Sequence, residues 1–419
     1  MTSGIASTGW TRVLPGMTPR RVLVSGAGVA GPALSYWLGV HGWSTTVVER
    51  SAELRDAGQN IDVRGAGREV LRRMGLEDAV RAAGTGELGT QFVGDNGEVI
   101  ASFDAGENDT DGATAELEIL RGELGRLLHE RTRDTTEYVF GDEVTGLDEH
   151  ADGVTATFRQ GAPRTFDLVV VAEGVTSRTR SLVFPEADIR SLGLLVAYLT
   201  VPRTAADTDW WRIHQASQGR AVTLRPDNVG TIRATLSLLT DVRGIEDLDR
   251  PAQVHVLRRT FADAGWEVPR VLDALDDAPL YVDAVGQVRL PSWHRGRVVL
   301  LGDAAHCPSP ITGMGTSLAL VGAYVLAGEL AGTADHEQAL AAYETRMRPY
   351  VERAQQLPPG APGLVHPRTR TGVRALRAAV GVAGSAPAKR LGSLLGAASF
   401  ASPPAEAIDL PHYPVPVSA

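Results

Sequence analysis

The sequence predicts an α/β protein: a discontinuous Rossmann-like domain, an antiparallel β-sheet domain inserted into it, and a C-terminal helix. Three observations predict this. A strand–glycine turn–helix–strand unit stands near the head of the chain, in "RRVLVSGAGVAGPALSYWLGVHGWSTTVVERS". Two apolar runs far downstream, "DLVVVAEG" and "RVVLLGDAAH", suit strands buried on both faces of a parallel sheet. Between those runs, residues 190–245 alternate with period two, the pattern of an antiparallel sheet with one covered face. The implied boundaries are a flexible leader at 1–20, a dinucleotide-binding domain at 21–90, 115–185 and 281–355, a β-rich substrate domain at 91–114 and 186–280, and a C-terminal helix and tail at 356–419.

In chain order, Val22 to Val24 form a short strand, Ala30 to Val40 carry a helical pattern, and Thr45 to Val48 make a second strand ending in Glu49. "LRRMGLEDAVRAAG" reads as one helix ending at Gly84, and "TQFVGDNGEVIASF" as a hairpin about Asp95-Asn96-Gly97. "AELEIL" is a strand and "RGELGRLLHER" the helix after it. A β-meander fills Glu137 to Glu173, a helical stretch 251–275, and a long helix runs from about Thr316 to Ala331. An amphipathic helix is expected near 371–395, where it could brace the domains, mediate a dimer or touch a membrane surface.

The chain has 419 residues, 43% hydrophobic and 22% charged, enough for two domains with a substantial core. A net charge of −9 argues against nucleic-acid binding, which needs a broad basic face. The first twenty residues lack the apolar core of a secretory signal, and the apolar run Leu318 to Gly328 is too short to span a bilayer. The expectation is a cytoplasmic protein with no stable membrane association, as monomer or homodimer.

"GAGVAG" places Gly26, Gly28 and Gly31 in G-x-G-x-x-G spacing between a strand and a helix, with Glu49 closing the next strand. The glycines serve a tight turn, close approach to a pyrophosphate, and helix–strand packing, while the acid suits a ribose. NAD and FAD share this fingerprint. Downstream, Asp303 ends a buried strand at the ligand-binding edge of the sheet, and Gly313-Met314-Gly315 leads into a helix with Thr316 or Ser317 available as cap. That helix start would face the anionic edge of a reduced flavin.

Three motifs, "GAGVAG…ER" at 26–50, "VVVAEGVTSRTR" at 169–180 and "GDAAHCPSP…GMG" at 302–315, stand in an order and spacing that resemble one family. It is that of the single-component FAD-dependent aromatic hydroxylases related to p-hydroxybenzoate hydroxylase, and within it the tetracycline-inactivating monooxygenase branch. The resemblance covers roughly residues 20–350. It implies FAD and either NADPH or NADH as cofactors. It further implies insertion of one oxygen atom of O2 into an aromatic or polycyclic, polyketide-like molecule through a C4a-hydroperoxyflavin. Residue by residue, it implies that Arg121 and Asp62 lie at the flavin, that Asp303 holds the ribityl chain, and that Pro310 with Gly313, Met314, Gly315 and Thr316 borders the isoalloxazine. Val29, Ala30 and Arg50 complete the cofactor-binding set. Arg55 falls close, within about a residue, to an arginine implicated in nicotinamide binding. Glu173 stands where the family carries aspartate, which bears on the choice between NADH and NADPH.

The family's chemistry belongs to the cofactor, so no catalytic acid or base is assigned, and no metal is expected. Arg212 and His214 share a strand face and are the residues expected to touch substrate. The alternative function is a flavin-dependent oxidase or dehydrogenase without oxygen insertion. A flavin-dependent halogenase is disfavoured, because the only lysine, Lys389, lies in the tail and "DWWRIHQ" departs from that family's signature. A non-flavin binding protein of the same fold is disfavoured by the intact glycines and Asp303. The neighbours His306 and Cys307 could suggest a thiol dyad, but no third orienting group is visible. His306 is expected to fix the loop by hydrogen bonding and Cys307 to be a small packed residue.

Overall fold

The computed structural model describes residues 19–55, 58–105, 117–358, 360–385 and 408–414. Most of the expected leader, the end of the expected tail helix and Lys389 lie outside the described residues.

The chain opens with β1 (Arg21–Ser25), α1 (Ala30–Val40) and β2 (Ser44–Glu49), then β3 (Asn60–Val63), α2 (Ala66–Arg73) and α3 (Glu77–Ala82). The single helix expected up to Gly84 is thus two, broken at Gly75, whose φ of +70° a helix cannot hold. A hairpin of β4 (Gly89–Val93) and β5 (Val99–Asp104) leads through β6 (Leu117–Leu120) and α4 (Arg121–Thr132) to β7 (Thr136–Phe140). β8 (Val144–His150), β9 (Gly153–Phe158) and β10 (Arg164–Phe166) make a small separate sheet, before β11 (Leu168–Val171) and α5 (Arg178–Val183).

The inserted layer consists of β12 (Ile189–Pro202), β13 (Trp211–Ala216), β14 (Arg220–Pro226) and β15 (Thr231–Leu239), then α6 (Arg250–Phe261), α7 (Val268–Asp273) and β16 (Leu280–Val288). The chain returns through β17 (His294–Arg295), β18 (Val298–Leu300), α8 (Asp303–His306), α9 (Gly315–Gly332) and α10 (His336–Ala354), and ends in α11 (Arg370–Ala383). The sequence reading passed over α10.

The main sheet has the order β17-β18-β11-β1-β2-β7, parallel except for β17. Val22, Leu23 and Val24 of β1 and Val169, Val170 and Val171 of β11 are fully buried, as strands covered on both faces must be. The second sheet runs β16-β12-β15-β14-β13-β4-β5. It takes in β4, β5 and β16, so this sheet runs past residue 280 to Val288. One face, with Leu199, Val222 and Leu236, packs against Phe261 of α6 and Val271 of α7. The other carries Tyr198, Ile213, Thr223 and Thr235, all half-buried.

By length and composition α9 could cross a membrane, yet it is mostly buried inside the fold, against α1, α2 and α10. The C-terminal region touches both layers. Arg377 of α11 donates to Asp95 (2.7 Å) and to the Gln215 carbonyl (2.9 Å). Farther on, Tyr413 lies over Gly328 of α9 and donates to Glu329 (2.6 Å).

The glycine turn closes by contacts that no side chain survives. Gly26 has φ +111°, and a Cβ there would stand 2.5 Å from the Ala172 carbonyl oxygen; one on Gly31 would stand 2.0 Å from that of Gly26. At Gly28 the nearest atom is 3.8 Å away, on the Arg121 guanidinium. We therefore expect Gly31→Ala to destabilise the apoprotein by about 1–3 kcal/mol or more, read as a lower Tm. Gly28→Ala should leave that Tm unchanged and weaken cofactor binding, and equal Tm values for the two variants would contradict this division.

Candidate functional site

The carboxyl ends of β1, β2, β11 and β18 meet along one edge, where open parallel sheets bind ligands. At one end of this trough, α1 starts at Ala30 with no side-chain cap, leaving its first N–H groups for another acceptor. Val29 is the residue before it. Ala30 packs on Gly302, a Cβ on which would lie 3.1 Å away. Glu49 accepts from the backbone N–H of Ala27 (3.0 Å) and Ser51 (2.9 Å). Burial opposes its ionisation, but those two amides hold the carboxylate below its usual range. Arg50 and Arg55 line a surface pocket just beyond, with Arg159 and Arg178. The latter two are paired with Glu143, while Arg55 donates to Ser51 Oγ (2.8 Å).

At the other end, Gly302 turns with φ +63° and Asp303 opens α8. A Cβ on Gly315 would stand 3.6 Å from Asp303 Oδ1, so the missing side chain keeps that carboxylate open. Burial pushes Asp303 up, and the Arg121 guanidinium across the trough pulls it back. Pro310 to Thr312 form a short exposed turn, then Gly313 has φ +63°. Met314 is buried, and Gly315 and Thr316 are half-buried in the first turn of α9. Neither Thr316 nor Ser317 caps that helix. Ser317 instead accepts from the Arg64 N–H (3.0 Å) and donates to its carbonyl (3.2 Å), so α9 also presents an uncapped start.

Asp62 lies beneath Gly313, a Cβ on which would be 3.8 Å from Oδ2. It is part of a buried charge cluster joining the two layers: Arg64 bonds Asp62 (3.0 Å), and Arg225 of β14 reaches Glu87 (2.6 Å), Glu118 (3.2 Å) and Asp62 (3.4 Å). Burial pushes Glu118 up to about 7, against the pull of Arg225 and with Glu87 adding to the rise.

Three sequence expectations are corrected here. Arg212 and His214 do share a face, but it is the face packed against helices. His214 is fully buried, contacting the Ala264 carbonyl (2.7 Å), and Arg212 pairs with Asp207 (2.9 Å). Alternation fixed their common side without saying which side it was. Glu173 is turned inward: it accepts from Ser25, from Ser177 (2.7 Å) and from the Thr179 N–H (3.0 Å), tying β1 to the start of α5. Both of its oxygens are engaged by the chain's own donors. His306 is not the anchor of its loop. Its Nδ1 has no partner among the described residues, its Nε2 meets Tyr343 Oη only at 3.5 Å, and the ring packs on Trp293 at 4.7 Å. The loop is held instead by Gln355, which donates to the His306 and Cys307 carbonyls (both 3.2 Å), and by Arg180, which donates to the Ala304 carbonyl (3.1 Å). Both anchors are distant in sequence from the loop; Arg180 closes the motif at 169–180, while Gln355 lies in no motif.

Burial lowers His306 to about 3 and pushes the Cys307 thiol far up. We expect His306 to stay neutral between about pH 5 and 8, with no NMR titration, and Cys307 to resist alkylation in the folded protein. A thiol that reacts at neutral pH would contradict the packed assignment.

A dinucleotide with a flavin head fits this trough on its own geometry. The clearing at Gly28 beside Arg121 and the start of α1 suit a diphosphate, Glu49 a ribose, and Asp303 a polyol. The comparisons with known proteins agree. A family model described as an FAD binding domain matches residues 20–357. A flavin-dependent monooxygenase of Legionella longbeachae is 34% identical over 346 residues, covering 80% of this chain and 87% of that protein. An uncharacterised protein of Mycobacterium tuberculosis is 40% identical over 355 residues, covering 82% and 95%. Among solved structures, the tetracycline destructase Tet(55) aligns with a TM-score of 0.77 and 31% identity, over 94% of this chain and 99% of that one. Trough and comparisons together place the chain in the FAD-binding domain family.

Proposed function

We propose that this flavoprotein is a monooxygenase that takes two electrons from NADPH or NADH and inserts one oxygen atom of O2 into an aromatic or polycyclic small molecule, releasing the other as water. The observation that carries the reading is the half-buried sheet face of Tyr198, Ile213, Thr223 and Thr235, linked through Arg225 and Asp62 to the isoalloxazine border at Gly313. FAD, when bound, supplies the redox chemistry and the activation of oxygen.

The chain's own residues bind and orient. Glu49 and the start of α1 hold the adenosine diphosphate half, Asp303 the ribityl hydroxyls, and the uncapped start of α9 favours negative charge at the flavin's pyrimidine edge. Arg50, Arg55 and Arg121 place positive charge along the trough, and the charge of all three is felt at Tyr281 at the rim of the sheet. This is where a nicotinamide dinucleotide would meet its counter-charges. The relatives named monooxygenase and destructase support the oxygen-inserting reading over an oxidase or dehydrogenase.

The test is NAD(P)H consumption stimulated by aromatic compounds, with 18O2 incorporation into product measured by mass. One labelled oxygen per turnover is expected. Stoichiometric hydrogen peroxide with no labelled product would overturn the assignment in favour of an oxidase. Asp303→Ala should weaken FAD binding about tenfold or more, since it removes a charged acceptor; unchanged affinity would contradict the ribityl assignment.

A further inference from the structure

Alternation along β16 puts Tyr281, Asp283 and Val285 on one face, and the register sets Tyr198 opposite Tyr281 and Val196 opposite Asp283. The two tyrosine rings stack at 6.1 Å with planes 26° apart. This is the open face of the sheet, and it borders the flavin trough: Arg225 on the same face bonds Asp62 beneath Gly313, and β16 ends beside α8, where the Val288 N–H donates to the Cys307 carbonyl (3.2 Å).

The charges on this wall are lopsided. β13, β14 and β15 carry Arg212, Arg220, Arg225 and Arg233, and every one is held by a carboxylate: Asp207, Asp263, the Asp62–Glu87–Glu118 group, and Asp227. Arg212 and Arg220 also point to the helix-covered side. Asp283 itself is half-buried, and its hydrogen-bonding partner among the described residues is the Ala284 N–H; no cation pairs with it. The titratable groups whose charge couples to it are Tyr198 and Tyr281 from the sheet, Glu246 from the loop before α6, and Asp303 and Cys307 from the other domain. Burial raises Asp283 above the usual carboxylate range, and Glu246 and Asp303 raise it further.

We propose that Asp283 is the substrate-recognising acid of this face, and that it selects neutral aromatic compounds bearing a ring hydroxyl over aromatic carboxylates. A ring hydroxyl donating to Asp283 satisfies a strand carboxylate of this face that, among the described residues, lacks a cationic partner. It also pushes electron density into the ring, which an electrophilic oxygen transfer needs. A carboxylate beside Asp283 would meet two or three negative charges, while the arginines of β13, β14 and β15 are taken by other carboxylates. The inference rests on the monooxygenase reading above and narrows its substrate class.

The test uses FAD-loaded wild type, Asp283→Asn and Asp283→Glu, with matched neutral phenols and hydroxybenzoates as probes. Binding is read from the perturbation of the flavin absorbance, and turnover from stimulated NAD(P)H consumption. Wild type should bind phenols about tenfold or more tighter than hydroxybenzoates. Asp283→Asn should keep its FAD, lose about tenfold or more in phenol affinity and shrink the gap between the two classes, while Asp283→Glu recovers part of it. The stimulated rate of wild type should rise with pH through a midpoint above the usual carboxylate range, a rise absent in Asp283→Asn. Unchanged phenol affinity and pH profile in Asp283→Asn, or a wild-type preference for hydroxybenzoates, would overturn the inference and leave the monooxygenase reading standing. Failure of both probe classes and of a wider aromatic panel to perturb or stimulate the FAD-loaded protein would overturn both.

Discussion

A helix start carries N–H groups with no acceptor inside the helix, and something outside must supply one. Here two such starts, α1 at Ala30 and α9 at Gly315, converge on the carboxyl edge of one parallel sheet without side-chain caps. The rest of the architecture serves that convergence. Gly26 and Gly31 let the first turn of α1 close onto the ends of β1 and β11, Ala30 packs on Gly302, and Ser317 spends its hydroxyl on the Arg64 backbone instead of capping its own helix. The ligand that completes both starts must carry negative or acceptor groups at two separated places. A dinucleotide with a flavin head does so.

The second constraint is the buried charge cluster between the layers. Three carboxylates, Asp62, Glu87 and Glu118, surround Arg225, with Arg64 on the far side of Asp62. Removing one partner from such a cluster strands the others in a medium of low dielectric constant, so the sheet cannot slide relative to the flavin domain without breaking several bonds together. Arg225 also lies 4.6 Å over the Trp211 ring, which fixes that side chain at the margin of the open face. The open face is therefore held by electrostatics as well as by packing.

Much of this was legible in the sequence because its signals are local. The glycine spacing, Glu49 at the end of a strand, and Asp303 after an apolar run each lie within a few residues of the structure they create. What was not legible depends on distant partners. Alternation showed that Arg212 and His214 point the same way, but only the packing of α6 and α7 determines that this way is inward. Glu173 looked like a modest departure from the family's aspartate until Ser25, Ser177 and Thr179 were found around it. Asp283 carried no motif at all. Its proposed role rests on the arginines of β13, β14 and β15 being taken by other carboxylates, which no single stretch of sequence displays.

The central claim is that one trough holds both halves of FAD, the adenosine diphosphate through Glu49 and α1 and the flavin through Asp303 and α9. Calorimetric titration of the apoprotein with FAD and, separately, with FMN tests it most directly. FAD should bind roughly 100-fold or more tightly than FMN, because FMN leaves the α1 end empty. Equal affinities, or a preference for FMN, would contradict the account.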